Sequence, residues 1–297
     1  MKRSREHVIV GSQSSIVIIV RIFIYALLII AAIYFLIPFF VMVITSVKTL
    51  NDIRTGNLIS LPREFTLEAW YKAWDSACTG INCEGVKGYF FNSVQMVIPA
   101  VLISTSIGAV NGYVFSKWRF KGSETFFTFL LIGCFIPFQV ILLPMSVMLG
   151  WIGIAQSIYG LIFVHVVYGL AFTSLFFRNY YVTIPDEIIK AAKIDGSGFF
   201  RIFWKIIIPV SAPVFVVVII WQTTQIWNDF LFGVAFSGSQ SQPITVALNN
   251  IVNTSTGVKE YNVDMAAALI AGIPTLIVYI VAGKYFLRGL TAGAIKG

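Results

Sequence analysis

Six stretches of the chain stay apolar for more than twenty residues each, near 19–47, 89–115, 126–149, 153–176, 206–233 and 265–287. Runs of that length leave few folds open. A hydrocarbon layer about 30 Å thick is crossed by roughly 20 residues of helix, and inside it every backbone amide must be paired within the segment or within a closed barrel wall. The alternating pattern of a membrane barrel is missing, because runs such as VFVVVIIW (214–221) are apolar on every face. A soluble fold is excluded by the same residues: only 11% are charged, against about 25% in ordinary globular domains. The expected fold is an all-α integral membrane protein of six transmembrane helices. Pro38, Pro99, Pro137, Pro144 and Pro274 fall within the stretches, and each is expected to kink its helix.

The net charge of +8 would suit nucleic acid or a membrane face, and its distribution decides between them. The amino-terminal segment with Arg21, the 116–125 loop, the 177–205 loop and the carboxy-terminal segment together hold 15 Lys/Arg and 5 Asp/Glu. The loops 48–88 and 234–264 hold 6 Lys/Arg and 7 Asp/Glu. Positive loops stay in the cytoplasm, so both termini are expected there and no nucleic-acid partner is needed. Lys2, Arg3 and Arg5 imitate the start of a signal peptide. The apolar run after them is too long for a cleavable one, so residues 1–18 read as a cytoplasmic leader to an uncleaved first helix.

Cys134 lies within the third stretch and reads as a small apolar core residue. Cys78 and Cys83, in CTGINC, fall in a loop placed outside the cytoplasm. They suit either a local disulfide or two free thiols. No metal site is expected, since His7 and His165 are assigned away from that side.

The loop between the fourth and fifth stretches, Arg178 to Pro213, is the most specific part of the chain. Pro185 suits a first helical turn, with Asp186 and Glu187 at its positive end. Ile188, Ala191 and Ala192 form a short apolar stripe, Gly196 suits a helix stop, and Ser197 suits the cap of a second amphipathic piece. Physics alone allows a loop helix resting on the membrane, or one whose alanines let another surface approach closely.

These residues resemble the coupling loop, the "EAA" motif, of permease subunits in binding-protein-dependent ABC importers. Ala191-Ala192, Asp195-Gly196 and Ile207-Ile208-Pro209 stand at the motif's spacing after Ile184-Pro185-Asp186-Glu187, with Lys190 in place of the usual leading Glu. WNDFLF (227–232) and FLRGLTAGAIKG (286–297) resemble the shorter permease subunit of maltose-type sugar importers. The resemblance implies an ABC importer permease fold spanning 19–290, with a coupling loop at 178–209 and a cytoplasmic tail at 291–297. It implies a multi-pass subunit of the bacterial inner membrane that catalyses nothing itself. ATP and Mg would sit on two cytoplasmic ATPase subunits, and a second permease and an extracytoplasmic sugar-binding protein would complete the machine. Glu187, Lys190, Ala191, Ala192, Asp195 and Gly196 would then form the ATPase-coupling surface, with Thr291 to Gly297 as a second contact. The segment around CTGINCEGVKGYFFNSV is similar to glucose-type importers, which favours glucose or a related monosaccharide.

The chain carries no phosphate-binding G-x-x-x-x-G-K-[ST] loop and no evident relay of buried acids and histidines. Trp221, Thr224, Gln225 and Asn228 share one stripe of the fifth stretch, with Asp229 beyond them near its outer mouth. They are candidates to line a solute pathway, or else to bond neighbouring helices. Gln240, Gln242, Asn249 and Asn250, in the second outer loop, are candidates by position to face the binding protein. The rival readings are a self-sufficient carrier or channel, which an inverted repeat between the halves would favour and for which none is evident, and a membrane enzyme, for which no catalytic group assembles.

Overall fold

A computed structural model describes residues 15–80, 82–253 and 259–294. Residues 1–14 of the expected leader and 295–297 of the expected tail lie outside the described residues. In chain order the helices are α1 (Ser15–Ser46), α2 (Leu50–Thr55), α3 (Glu68–Asp75), α4 (Lys87–Lys117), α5 (Ser123–Ile132), α6 (Phe138–Trp151), α7 (Ile158–Val182), α8 (Asp186–Ile194), α9 (Phe199–Ile202), α10 (Ile208–Val210), α11 (Ala212–Trp227), α12 (Leu231–Phe236), α13 (Ile244–Asn253) and α14 (Tyr261–Ala294). No β-strand joins them among the described residues, only two isolated bridges.

Four helices (α1, α4, α7 and α14) are each long and apolar enough to cross a bilayer. The third and fifth apolar stretches differ from expectation, because neither is one helix. α5 with the 3₁₀ turn after it meets α6 at 105°, and the α9–α10 segment meets α11 at 78°. Ile136 and Pro137 are extended at the first break, where proline can neither donate a hydrogen bond nor let its predecessor stay helical. Pro209 and Pro213 flank the second at Ser211, next to a π-helical turn, Phe203–Ile207. Pro38, Pro99, Pro144 and Pro274 are carried inside their helices.

Side-chain bonds give the helices their directions. Asn111 bonds Ser174 and Lys117 bonds Ile184, so α4 and α7 run parallel. α11 runs against both: Tyr180 bonds Val210 near its start, Gln222 reaches Ser104, and Trp227 reaches Ala271 of α14. Asn262, opening α14, bonds the Lys48 carbonyl just past α1. The chain therefore alternates between two ends of one bundle, with α2, α3 and α13 at one end and α8 and α9 at the other.

α4 and α7 make the tightest contact. Ser104, Gly108, Gly112 and Ser116 recur every fourth residue on one face of α4 and are all buried. A Cβ on Gly112 would stand 2.5 Å from Phe177 Cβ and 2.7 Å from the Arg178 backbone nitrogen. Small residues of this kind let two backbones meet where lipid gives no hydrophobic drive.

Two apolar clusters follow. One fills the half of the bundle nearer α3 and α13, around Met96, Leu161, Trp227 and Ile244. The other lies under α8, around Tyr113, Phe177, Tyr181 and Ile207. Outside the bundle, Cys78 and Cys83 are joined by a disulfide after α3.

Candidate functional site

α8 stands off the bundle and is fixed to it from below. Pro185 is its N-cap rather than its first helical residue, and Asp186 and Glu187 occupy the first turn. Its stop needs glycine: Gly196 has φ +75°, a left-handed backbone that glycine adopts without strain, and Ser197 N–H then returns to the Ala192 carbonyl. α9 is preceded by Gly198, and no side chain caps it, so Ser197 does not take the capping place expected of it.

The inner face of α8 is Ile189 and Ala192, both buried with Ile184 against Tyr113, Phe177 and Ile202. This corrects the expected stripe. Ala192 is only 7% exposed and packs on its own bundle, while Ile188 and Ala191 face outward. Glu187, Lys190, Asp195 and Gly196 are exposed as well, and Ile194 is 86% exposed. An outward surface of small and apolar groups with a charged rim results.

Two cations hold the helix in place. Lys117, buried at the end of α4, donates to the Ile184 carbonyl and to Asp186, each at 2.5 Å. That ammonium holds the Asp186 carboxyl below the usual carboxylate range. Lys193 lies over the Trp118 ring, 4.0 Å from its centroid.

The second candidate region is a cavity of about 650 Å³ between α7, α11 and the α5–α6 break. Trp221, Gln225, Asn228 and Asp229 line it, and Thr224 does not. The Thr224 hydroxyl instead returns to the Ile220 carbonyl of its own helix. Gln222, not singled out from the sequence, borders the cavity, but its amide is already bonded to Ser104. Asp229 does not end one long straight helix. The bend at Ser211 and the end of α11 at Trp227 place it in a break, where its carboxylate accepts from Phe232 and Gly233 N–H and caps α12. Its neighbour across the cavity is His165 on α7, 3.7 Å away. The sequence set these two residues apart, and the fold brings them together. Among the described residues no group of three or more His, Cys, Asp or Glu gathers as metal ligands.

Of the outer-loop candidates, Gln240 and Gln242 are held by their carbonyls, both bonded by Asn92. Asn249 is exposed and bonded to Asn253, and Asn250 is partly buried.

Comparison with known proteins agrees with this arrangement. Residues 100–290 match the family described as "Binding-protein-dependent transport system inner membrane component". A xylose/arabinose import permease of Haloferax volcanii is 30% identical over 91% of this chain and 92% of its own. A probable ABC transporter permease of Pyrococcus horikoshii is 43% identical over 63% of this chain and 68% of its own. A multiple sugar-binding transport system permease of Streptococcus mutans is 28% identical over 92% of this chain and 96% of its own. In structure, a bacterial ABC transporter involved in the import of alginate superposes with TM-score 0.79 at 22% identity, over 93% of this chain and 99% of that one. The chain is thus a multi-pass inner-membrane permease with the ABC importer fold. It belongs to the family of binding-protein-dependent transport system inner membrane components.

Proposed function

We propose that the chain is one of two permease subunits of an ATP-driven sugar importer, and that α8 is the knob its ATPase partner grips. The observation that carries this is the division of α8 into two faces. Ile189 and Ala192 are locked to α4 and α7, while Ala191, Ile194 and the rim of Glu187, Lys190 and Asp195 are left for a partner. A helix anchored so transmits a push to the bundle instead of swinging loose, and the rim charges set orientation more than affinity. On this reading both termini and α8 are cytoplasmic. ATP and Mg are bound by two separate ATPase subunits, and a binding protein delivers solute at the end carrying α2, α3 and α13. The cavity lined by Trp221, Gln225, Asn228 and Asp229 lies on the solute's path, which opens alternately to the two sides. The substrate class rests on relatives named for xylose and arabinose and for multiple sugars, and glucose or a related monosaccharide is the solute to test first.

The test is a tagged chain co-expressed with its partners. Ala191→Arg should leave the permease pair intact and abolish ATPase co-purification and uptake, whereas Ala191→Ser should retain both. Full uptake by the arginine variant would overturn the assignment of α8.

A further inference from the structure

His165, at the back of the cavity, is not used by anything above, and Asp229 enters only as part of the lining. His165 is 5% exposed, and its Nε2 has no hydrogen-bond partner among the described residues. Asp229 Oδ2 stands 3.7 Å away, beyond the reach of a direct hydrogen bond. Buried polar atoms are seldom left unpaired, and the residue that carries this one lines a cavity between helices. We infer that the gap is a binding subsite for one hydroxyl group of a neutral polyhydroxylated solute, held by this chain itself, with the hydroxyl oxygen bridging His165 Nε2 and Asp229 Oδ2. This rests on the sugar-importer reading and adds to it a place and a residue pair.

The chemistry selects a hydroxyl. It donates and accepts at one atom, so with the imidazole proton on Nε2 it accepts from the imidazole N–H and gives its own proton to the carboxylate. With Nε2 protonated, a simple cation would suit Asp229 but meet the imidazole N–H, and an anion would meet the carboxylate.

Neither side chain is placed to close the gap alone. Asp229 is tied by Phe232 and Gly233 N–H to its carboxylate and by the Thr245 hydroxyl to its carbonyl, at 3.3, 3.1 and 2.6 Å. The His165 ring lies edge-on to Phe232, 5.5 Å between centroids. The wall beside the pair suits the rest of such a solute. Trp221, packed on Phe172, offers an aromatic face, and Gln225 and Asn228 offer exposed amides.

The experiment uses the whole transporter, this chain with its second permease, ATPases and binding protein, in proteoliposomes. Uptake of D-glucose and D-xylose is measured first, then uptake of each monodeoxy derivative of whichever sugar is carried. In the unaltered transporter one deoxy derivative should be carried about tenfold less efficiently than its parent. In His165→Phe the parent should fall by a similar factor and that derivative should fall no further, because the partner of the missing hydroxyl is already gone. Comparing the parent-to-derivative ratio between the unaltered and variant chains cancels both the amount of folded transporter and any discrimination by the binding protein. His165→Gln, which keeps a donor, should recover part of the ratio and serves if the phenylalanine variant does not assemble. The same parent-to-derivative ratio in the unaltered and variant chains, for every derivative, overturns the bridge. If the unaltered transporter carries neither sugar, the monosaccharide reading beneath it falls instead.

Discussion

Ala191 and Ala192 are adjacent and chemically identical, and the fold gives them opposite tasks. A step of about 100° around the helix takes the side chain from the outward face to the buried one. Ala192→Arg should therefore act on the protein's own packing, costing about 2–4 kcal/mol by forcing a charge under α8. A lowered melting temperature of the detergent-solubilised permease pair would show it, and unchanged melting would place Ala192 outside. Lys117 is the second lever. Lys117→Met strips the Ile184 carbonyl of its donor and should destabilise α8 docking by about 1–2 kcal/mol. The pH dependence has a definite sign. Because Lys117 depresses the Asp186 pKa, the contribution is complete above the ordinary carboxylate value, about 3.9. It is lost as pH falls through the lower folded value. Melting of the unaltered pair should thus show no loss from this contact between pH 7 and 5, and Asp186→Asn should remove its share of the decline at more acid pH. The motif spacing made α8 legible from the sequence. Which alanine faced inward was not, because that depends on where Tyr113 and Phe177 stand in space.

At the scale of elements, helix existence followed from apolar length and helix continuity did not. The third and fifth stretches satisfied the hydropathy pattern, but two prolines flank the fifth's break at Ser211 and Pro137 the third's. A proline alone does not reveal whether neighbours will absorb it, as they do at Pro99 and Pro274. The every-fourth-residue series Ser104, Gly108, Gly112 and Ser116 was readable, yet it names no partner by itself. The structure supplies α7. Gly112→Val should separate α4 from α7 at Phe177 and cost about 2–3 kcal/mol or more, seen as a lower melting temperature, whereas Ser116→Ala should cost far less. The disulfide after α3 closes a loop so short that the chain-entropy estimate is about 2 kcal/mol. Cys78→Ser paired with Cys83→Ser should lower stability by that order. Labelling of both thiols in the folded, unreduced protein would remove the bridge from the account.

For the whole molecule, the chain's alternation between two ends of one bundle was recoverable from hydropathy, and the interior was not. His165 meets Asp229 and Asn262 meets Lys48 across long stretches of chain, and single-sequence periodicity carries no information about such pairings. Chemistry-bearing residues therefore surfaced first where they are local, on α8, and last where they are assembled, in the cavity. The first helix shows a different consequence of the architecture. Only 6% of α1's apolar span is buried, and it touches the bundle mainly along α14 and through its final turn, Ile44 to Ser46. The family match begins only at residue 100. A stave attached so lightly turns most of its apolar surface away from this chain, so apolar substitutions along it should cost the chain's own packing little.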